Sequence, residues 1–278
     1  MLKIKILIFL SLIKNSFCPC TKDKAKNDFE KPDKHYRIEK LAKLPPVVDE
    51  SSAVKMHTDT SFYTLNDDGP PEIYEVNLQG KLISTVVIPQ SSNKDWEEFT
   101  TDKKGYWYIG DMGNNSNARK DLKIYRFNPA LRKTDTIRFS YQDQTSFPPQ
   151  KEEKNFDCEA FFHFRDSLYL ISKNRGNKQV RFYKLSDQPG TYAILPFYST
   201  YISSMITGAA FDEATNTVAL LSYGKIYFFK LDLTTGLLKP QSCMGFARNK
   251  QAEGISYRSD HSLIVTNEQG GIFLIREK

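Results

Sequence analysis

Asp95-Trp-Glu97-Glu-Phe99 and Asp157-Cys-Glu159-Ala-Phe161 are two copies of one short pattern, and the chain carries three more. Glu50-Ser-Ser-Ala-Val54 and Gln251-Ala-Glu253-Gly-Ile255 keep an acidic residue ahead of a small or apolar ending. Ile206-Thr-Gly208-Ala-Ala-Phe211 keeps the ending but has Gly208 where the others are read as Glu. Aligned on Glu50, Glu97, Glu159, Gly208 and Glu253, the copies are 47, 62, 49 and 45 residues apart. Recurrence at about that period is the signature of a four-stranded propeller blade. The pattern therefore predicts an all-β chain, a β-propeller of five four-stranded blades, with six if two short units have been merged. A two-sheet sandwich is the weaker rival.

Working outward, strands are expected over residues 51–57, 61–65, 72–78 and 82–88 in the first blade. The second takes 97–101, 107–110, 123–127 and 136–141. Residues 142–156, with Pro148-Pro149, form an inserted loop that accounts for the one long interval. Blade three uses 160–164, 168–172, 180–185 and 192–198, and blade four 208–211, 218–222, 226–231 and 242–246. The fifth has only 254–257, 263–266 and 272–275. Residues 36–44 supply its missing strand, which closes the ring and removes exposed sheet edges. Turn chemistry such as Asn66-Asp-Asp-Gly69 and Gln79-Gly80 separates the runs.

The first twenty residues have a basic start, an apolar run over 6–13 and then Cys18-Pro-Cys20. That is the shape of a secretory signal or lipoprotein leader, too short to span a membrane comfortably. Residues 21–35, charged and poor in apolar groups, read as a flexible tether, and 36–278 as the propeller. The expected location is thus exported: periplasmic, a surface lipoprotein held by an N-terminal lipid on Cys18, or secreted. Cys158 and Cys243 are then the only cysteines of the mature domain, and Cys158 reads as a small buried hydrophobe.

Net charge is +6, but residues 1–40 hold ten Lys/Arg against five Asp/Glu, so the propeller is nearly neutral. That balance excludes a polyanion-binding surface and, with it, nucleic acid. A monomer is expected, and partners are small-molecule, glycan or protein ligands.

In a propeller the innermost strands surround a channel, so equivalent positions form a ring. Glu50, Glu97, Glu159 and Glu253 would face one another, repel and raise one another's pKa. Either calcium, which suits flexible oxygen sets, offsets that repulsion, or each carboxylate bonds to a neighbouring blade's backbone and fixes its geometry. A second set of polar residues, Asn66, Asp111, Lys173, Tyr223 and Asn267, follows the second strands and is expected to line the same face as ligand-binding groups. Lys173 is the natural counter-charge to the ring. Asp111-Met-Gly113-Asn-Asn115 lacks the closing Glu of an EF-hand, which would fall at Leu122. The adjacent Glu97 and Glu98 are expected on opposite faces of their strand. Catalytic residues are not assignable: no nucleophile elbow, Walker loop or His-Glu-x-x-His occurs, and the four histidines lack ligand spacing.

Glu50-Ser-Ser, Asn66-Asp-Asp-Gly, Asp95-Trp-Glu-Glu, Gly110-Asp-Met-Gly-Asn-Asn, Asp157-Cys-Glu-Ala and Ala252-Glu-Gly-Ile, in this order, resemble a family of exported bacterial β-propeller proteins. Its pattern is ESSG, NDSG, DWED, GDIGDN, DxEA and a late EG, and it is loosely similar to SdiA-regulated and phytase-esterase-like propellers. The resemblance covers about residues 50–270 and implies a propeller, export and calcium, without a substrate. The chain departs from it at Ala53, Asp68, Glu98 and Asn114. The expected function is a binding module of the cell envelope with an acidic channel mouth that holds calcium or a small ligand. The alternative is a metal-dependent hydrolase of esters or phosphoesters, with Glu97, Glu159 and Glu253 as ligands.

Overall fold

A computed structural model describes residues 20–30, 32, 35–246 and 251–278. Residues 1–19, and with them most of the expected leader and Cys18, lie outside it. Among the described residues, apart from one short helix, α1 (Thr21–Asn27), and a single 3-10 turn, the elements are strands. Blade one is β2 (Ser51–Met56), β3 (Ser61–Asn66), β4 (Glu72–Asn77) and β5 (Leu82–Val87). Blade two is β6 (Trp96–Thr101), β7 (Trp107–Asp111), β8 (Lys123–Asn128) and β9 (Lys133–Tyr141). Blade three is β10 (Asp157–Phe164), β11 (Ser167–Lys173), β12 (Gln179–Ser186) and β14 (Pro196–Tyr201). Blade four is β15 (Ile206–Asp212), β16 (Thr217–Ser222), β17 (Lys225–Leu231) and β18 (Leu238–Gly245). Blade five is β19 (Ala252–Tyr257), β20 (Leu263–Asn267) and β21 (Gly271–Glu277).

The fourth strand of blade five is β1 (Tyr36–Lys43), antiparallel to β21 in the register Tyr36↔Glu277 to Lys43↔Gly271. The ring is closed by the N-terminal strand, as the repeat count requires. Each inner strand meets the next around the circle, β2, β6, β10, β15, β19 and β2 again. The apolar core divides into five clusters, one at each blade–blade interface. This follows from alternation: successive side chains of a strand go to opposite faces, and each face of a blade packs on a neighbour. Trp96, Phe99, Trp107 and Phe127 fill the interface of blades one and two. Phe182, Tyr227 and Phe229 fill that of blades three and four.

Two stretches depart from the sequence reading. Residues 192–198, read as one strand, are two. β13 (Gly190–Ile194) pairs in parallel with β9 and adds a fifth strand to blade two, while β14 completes blade three. Where a flexible tether is expected, Cys20–Glu30 instead pack on blades three and four. Phe29 is completely buried and meets Phe229 edge-on at 5.2 Å. Asp23, also fully buried, accepts from Ser203 N at 2.7 Å and pairs with Lys225 Nζ at 2.7 Å. Glu30 bridges to Ser242 on the edge strand β18. Cys20 is disulfide-bonded to Cys243, so the latter has a partner that the sequence reading placed in the leader. Cys158 is the free, fully buried thiol expected of it.

Candidate functional site at the channel mouth

Every inner strand carries a β-bulge near its start: between Ser51 and Ala53, Trp96 and Glu98, Cys158 and Ala160, Ile206 and Gly208, and Ala252 and Gly254. A bulge inserts one unpaired residue and re-aims its side chain. The five bulged residues are Ser52, Glu97, Glu159, Thr207 and Glu253, and these are the true equivalents. Glu50 stands two residues before the ring position: its carbonyl accepts from Asp67 N just as that of Asp95 accepts from Met112 N and that of Gln251 from Glu268 N. Thus Glu50 aligns with Asp95, Asp157 and Gln251, and Thr207, not Gly208, holds the ring position of blade four.

The residue after each bulge is Ala53, Glu98, Ala160, Gly208 or Gly254. The small ones permit close approach of inner strands: a Cβ on Gly208 would collide with the Glu253 carbonyl, and one on Gly254 with Ala53. Glu98 uses the room they leave. Its carboxylate accepts from Phe99 N at 2.9 Å and, across the ring, from Ala209 N at 3.0 Å. Burial holds its carboxyl well above the usual range, against those amide bonds and the Lys55 charge, which act to lower it. The expectation that Glu97 and Glu98 take opposite faces fails because the bulge interrupts the alternation. Both carboxyls lie toward the axis.

Glu97, Asp157 and Glu159 are all buried, and each offers an oxygen within 4.8 Å of the others'. Arg175 Nε bonds Asp157 Oδ2 at 2.5 Å, and its NH2 reaches Glu159 Oε1 at 3.4 Å. Lys173, only 3% exposed, pairs with Glu159 Oε2 and donates to Tyr223 OH at 3.1 Å. Tyr223 OH in turn donates to Glu253 Oε1 at 2.9 Å. One chain of contacts thereby links blades three, four and five across the mouth. Among the described residues no cation forms an ion pair with Glu97; its carboxyl shares a hydrogen bond with Asp95. Burial first, then the charges of Glu159, Asp157 and Asp95, push the Glu97 carboxyl well above its ordinary range, with Lys173 opposing. Burial also raises Glu159 despite Lys173. Glu253 is pushed up to about 7, by burial more than by Glu268, with Lys173 opposing.

Of the remaining expected site residues, three are tied up in contacts near their own strands. Asn66 donates to Val47 O at 3.0 Å and Asp49 Oδ1 at 2.9 Å. Asn267 accepts from Gly271 N at 2.7 Å. Asp111, fully buried, is held by Arg119 at 2.7 Å and Lys123 at 3.2 Å within blade two. Glu50 is exposed and groups with Asp67 and Asp68 instead. Burial and the Glu50 carboxyl raise Asp67 to about 7. Asp95, Asp157 and Arg175 belong to the mouth and were not singled out. The recurring acid at the head of each segment, Glu50, Asp95 and Asp157, was the available signal for the first two; nothing in the loop after Lys173 marked Arg175.

Fold and site together define a five-bladed β-propeller with a buried, carboxylate-rich channel mouth. No family model matches the chain, and no curated protein does. Among solved structures it is similar to a streptogramin B lyase, at 9% identity and a TM-score of 0.44, over 87% of this chain and 98% of that one. A likeness of that size carries no inference about chemistry.

Proposed function

We propose that the protein is an exported binding module whose ligand site is this channel mouth, with calcium held by Glu97, Asp157 and Glu159. The observation that carries the reading is the convergence of three buried carboxylates on one point with too few cations around them. Calcium bonds oxygen at 2.3–2.6 Å, so ligands of one ion stand up to ~5 Å apart, a spread that accommodates the 4.8 Å cluster. A bound dication would also oppose the burial and the neighbouring carboxylates that raise the Glu97 carboxyl, so binding should favour its ionised form and release acid. Lys173, Tyr223 and Glu253 flank the ion as the polar wall that a small-molecule, glycan or peptide group would meet. Export is supported by the Cys20–Cys243 bridge, since disulfides persist in oxidising compartments.

Titration calorimetry of chelator-treated protein with calcium, in two buffers of different ionisation enthalpy, tests the reading. One site per chain, with proton release that disappears in Glu97→Gln, is the expected result. Absence of heat and of any change in melting temperature would make the carboxylates structural and leave protein or glycan surfaces as the place to search. One observation favours a second reading, a hydrolase of esters or phosphoesters. Glu253, pushed up to about 7 by burial, stands beside the Tyr223–Lys173 pair, the environment of a general acid–base group. Turnover of nitrophenyl esters or phosphoesters that vanishes in Glu253→Gln would establish it.

A further inference from the structure

The inner strands run from the acidic mouth toward the opposite face. His163 lies four residues past Glu159 on β10, ~13 Å further along at strand rise. There the turns of blades two and three bring together Asp102, His163 and Asp187, whose ligand atoms all lie within 4.8 Å of one another. Asp102 opens the β6–β7 turn. Its Oδ1 accepts from Lys104 N and Tyr106 N, both at 2.9 Å, which fixes the carboxylate and leaves Oδ2 facing Tyr108 OH at 3.1 Å. Asp187 follows β12 and is 1% exposed. Its Oδ2 stands 3.1 Å from His163 Nε2 and 3.5 Å from Tyr108 OH. The His163 ring is stacked on Tyr108, centroids 5.3 Å apart and planes 15° from parallel. Each of the three groups is thus held by its own element, and two carboxylates from different blades converge on one imidazole.

We propose that Asp102, His163 and Asp187 form a zinc site, separate from the channel mouth. Tetrahedral zinc with arms of 2.0–2.2 Å spaces its ligand atoms ~3.3 Å apart. His163 and Asp187 already stand at that spacing, and the Asp102 carboxylate closes the set with a movement on the order of 1 Å. One imidazole nitrogen with two carboxylate oxygens suits a borderline dication better than calcium, which takes oxygen alone. The fourth position is supplied by an adjoining cleft of about 450 Å³ that Asp102 and His163 line together with Phe164, Arg165 and Phe211. Water or a substrate atom can reach the ion from that side. Tyr108 stacks on His163 and donates its one hydroxyl proton to Asp102 Oδ2, the usual role of a hydrogen-bonding partner outside the coordination sphere.

The test is zinc binding by chelator-washed protein, read by equilibrium dialysis with elemental analysis, with cobalt as a spectroscopic substitute. One zinc per chain is expected, lost in His163→Ala and in Asp187→Asn and kept in Glu97→Gln. Tyr108→Phe should weaken it roughly tenfold. Cobalt should give the intense visible bands of a four-coordinate site in the unaltered protein, a readout that does not depend on any variant folding. Failure to bind zinc, binding that survives His163→Ala or Asp187→Asn, or a weak six-coordinate cobalt spectrum would each overturn the proposal.

Discussion

Glu253 has a carboxyl moved from an ordinary 4.5 to about 7 in the folded protein, and Glu97 and Glu159 are moved the same way. The sign of the consequence is fixed. A carboxyl whose pKa is raised by folding binds more protons folded than unfolded, so stability is greatest below pH 4.5 and falls as pH rises toward 7. At ~1.4 kcal/mol per pH unit, Glu253 alone accounts for at most about 3 kcal/mol of that loss. Urea melts in chelator should therefore show stability falling from pH 5 to 7, with a shallower slope in Glu253→Gln and with calcium added. A flat profile would mean that the mouth stays hydrated and uncrowded. The sequence displayed Glu97, Glu159 and Glu253 through their recurrence. It misplaced Glu50 and Gly208, two residues before and one residue after the ring positions of their blades, because the residues that hold those positions, Ser52 and Thr207, have no charge to draw attention.

Among the elements, the loop after β7 shows what a motif can and cannot reveal. Gly110-Asp-Met-Gly113-Asn-Asn115 is legible as a tight polar loop, but the need for Gly113 lies in its neighbours. A Cβ there would collide with the carboxylates of Asp95 and Glu97. Gly113→Ala should cost about 1–3 kcal/mol through overpacking and, by displacing Glu97, abolish calcium binding in the same titration. Gly105 makes the contrast. It has φ +85° with open space around its Cβ position, so Gly105→Ala should cost ~1–2 kcal/mol of backbone strain and leave binding intact. Equal effects of the two on calcium would place the ion elsewhere. Strand boundaries were readable because alternation and turn residues mark them. The parallel pairing of β13 with β9 was not, since a period of two says which face a side chain takes but not which sheet it joins. Asp102, His163 and Asp187 escaped for a related reason: spacing along the chain carries no record of two blades meeting.

At the scale of the whole molecule, a ring of blades has one seam, and this chain secures its N-terminal region twice. β1 completes blade five by hydrogen bonds to β21, and Cys20–Cys243 fastens the preceding segment to blade four across 223 residues. The first fastening follows from counting strands. The second was hidden because Cys20 stands where a leader would end, and the charged residues 21–28 give no sign that Phe29 beyond them inserts into the core. A bridge closing so long a loop removes conformational freedom mainly from the unfolded chain, by ~5 kcal/mol in the chain-entropy account. For a domain of this size that corresponds to a fall in melting temperature of roughly 10 °C or more when the bridge is lost. Cys243→Ser and reductant treatment of the unaltered protein should give the same fall, and reductant should add nothing to Cys243→Ser. Cys158 does not confuse the experiment, since it is fully buried and its thiol is pushed up to about 12. Equal melting of oxidised and reduced protein would show that the latch is held by Phe29 and Asp23 alone, and would remove the disulfide as support for export.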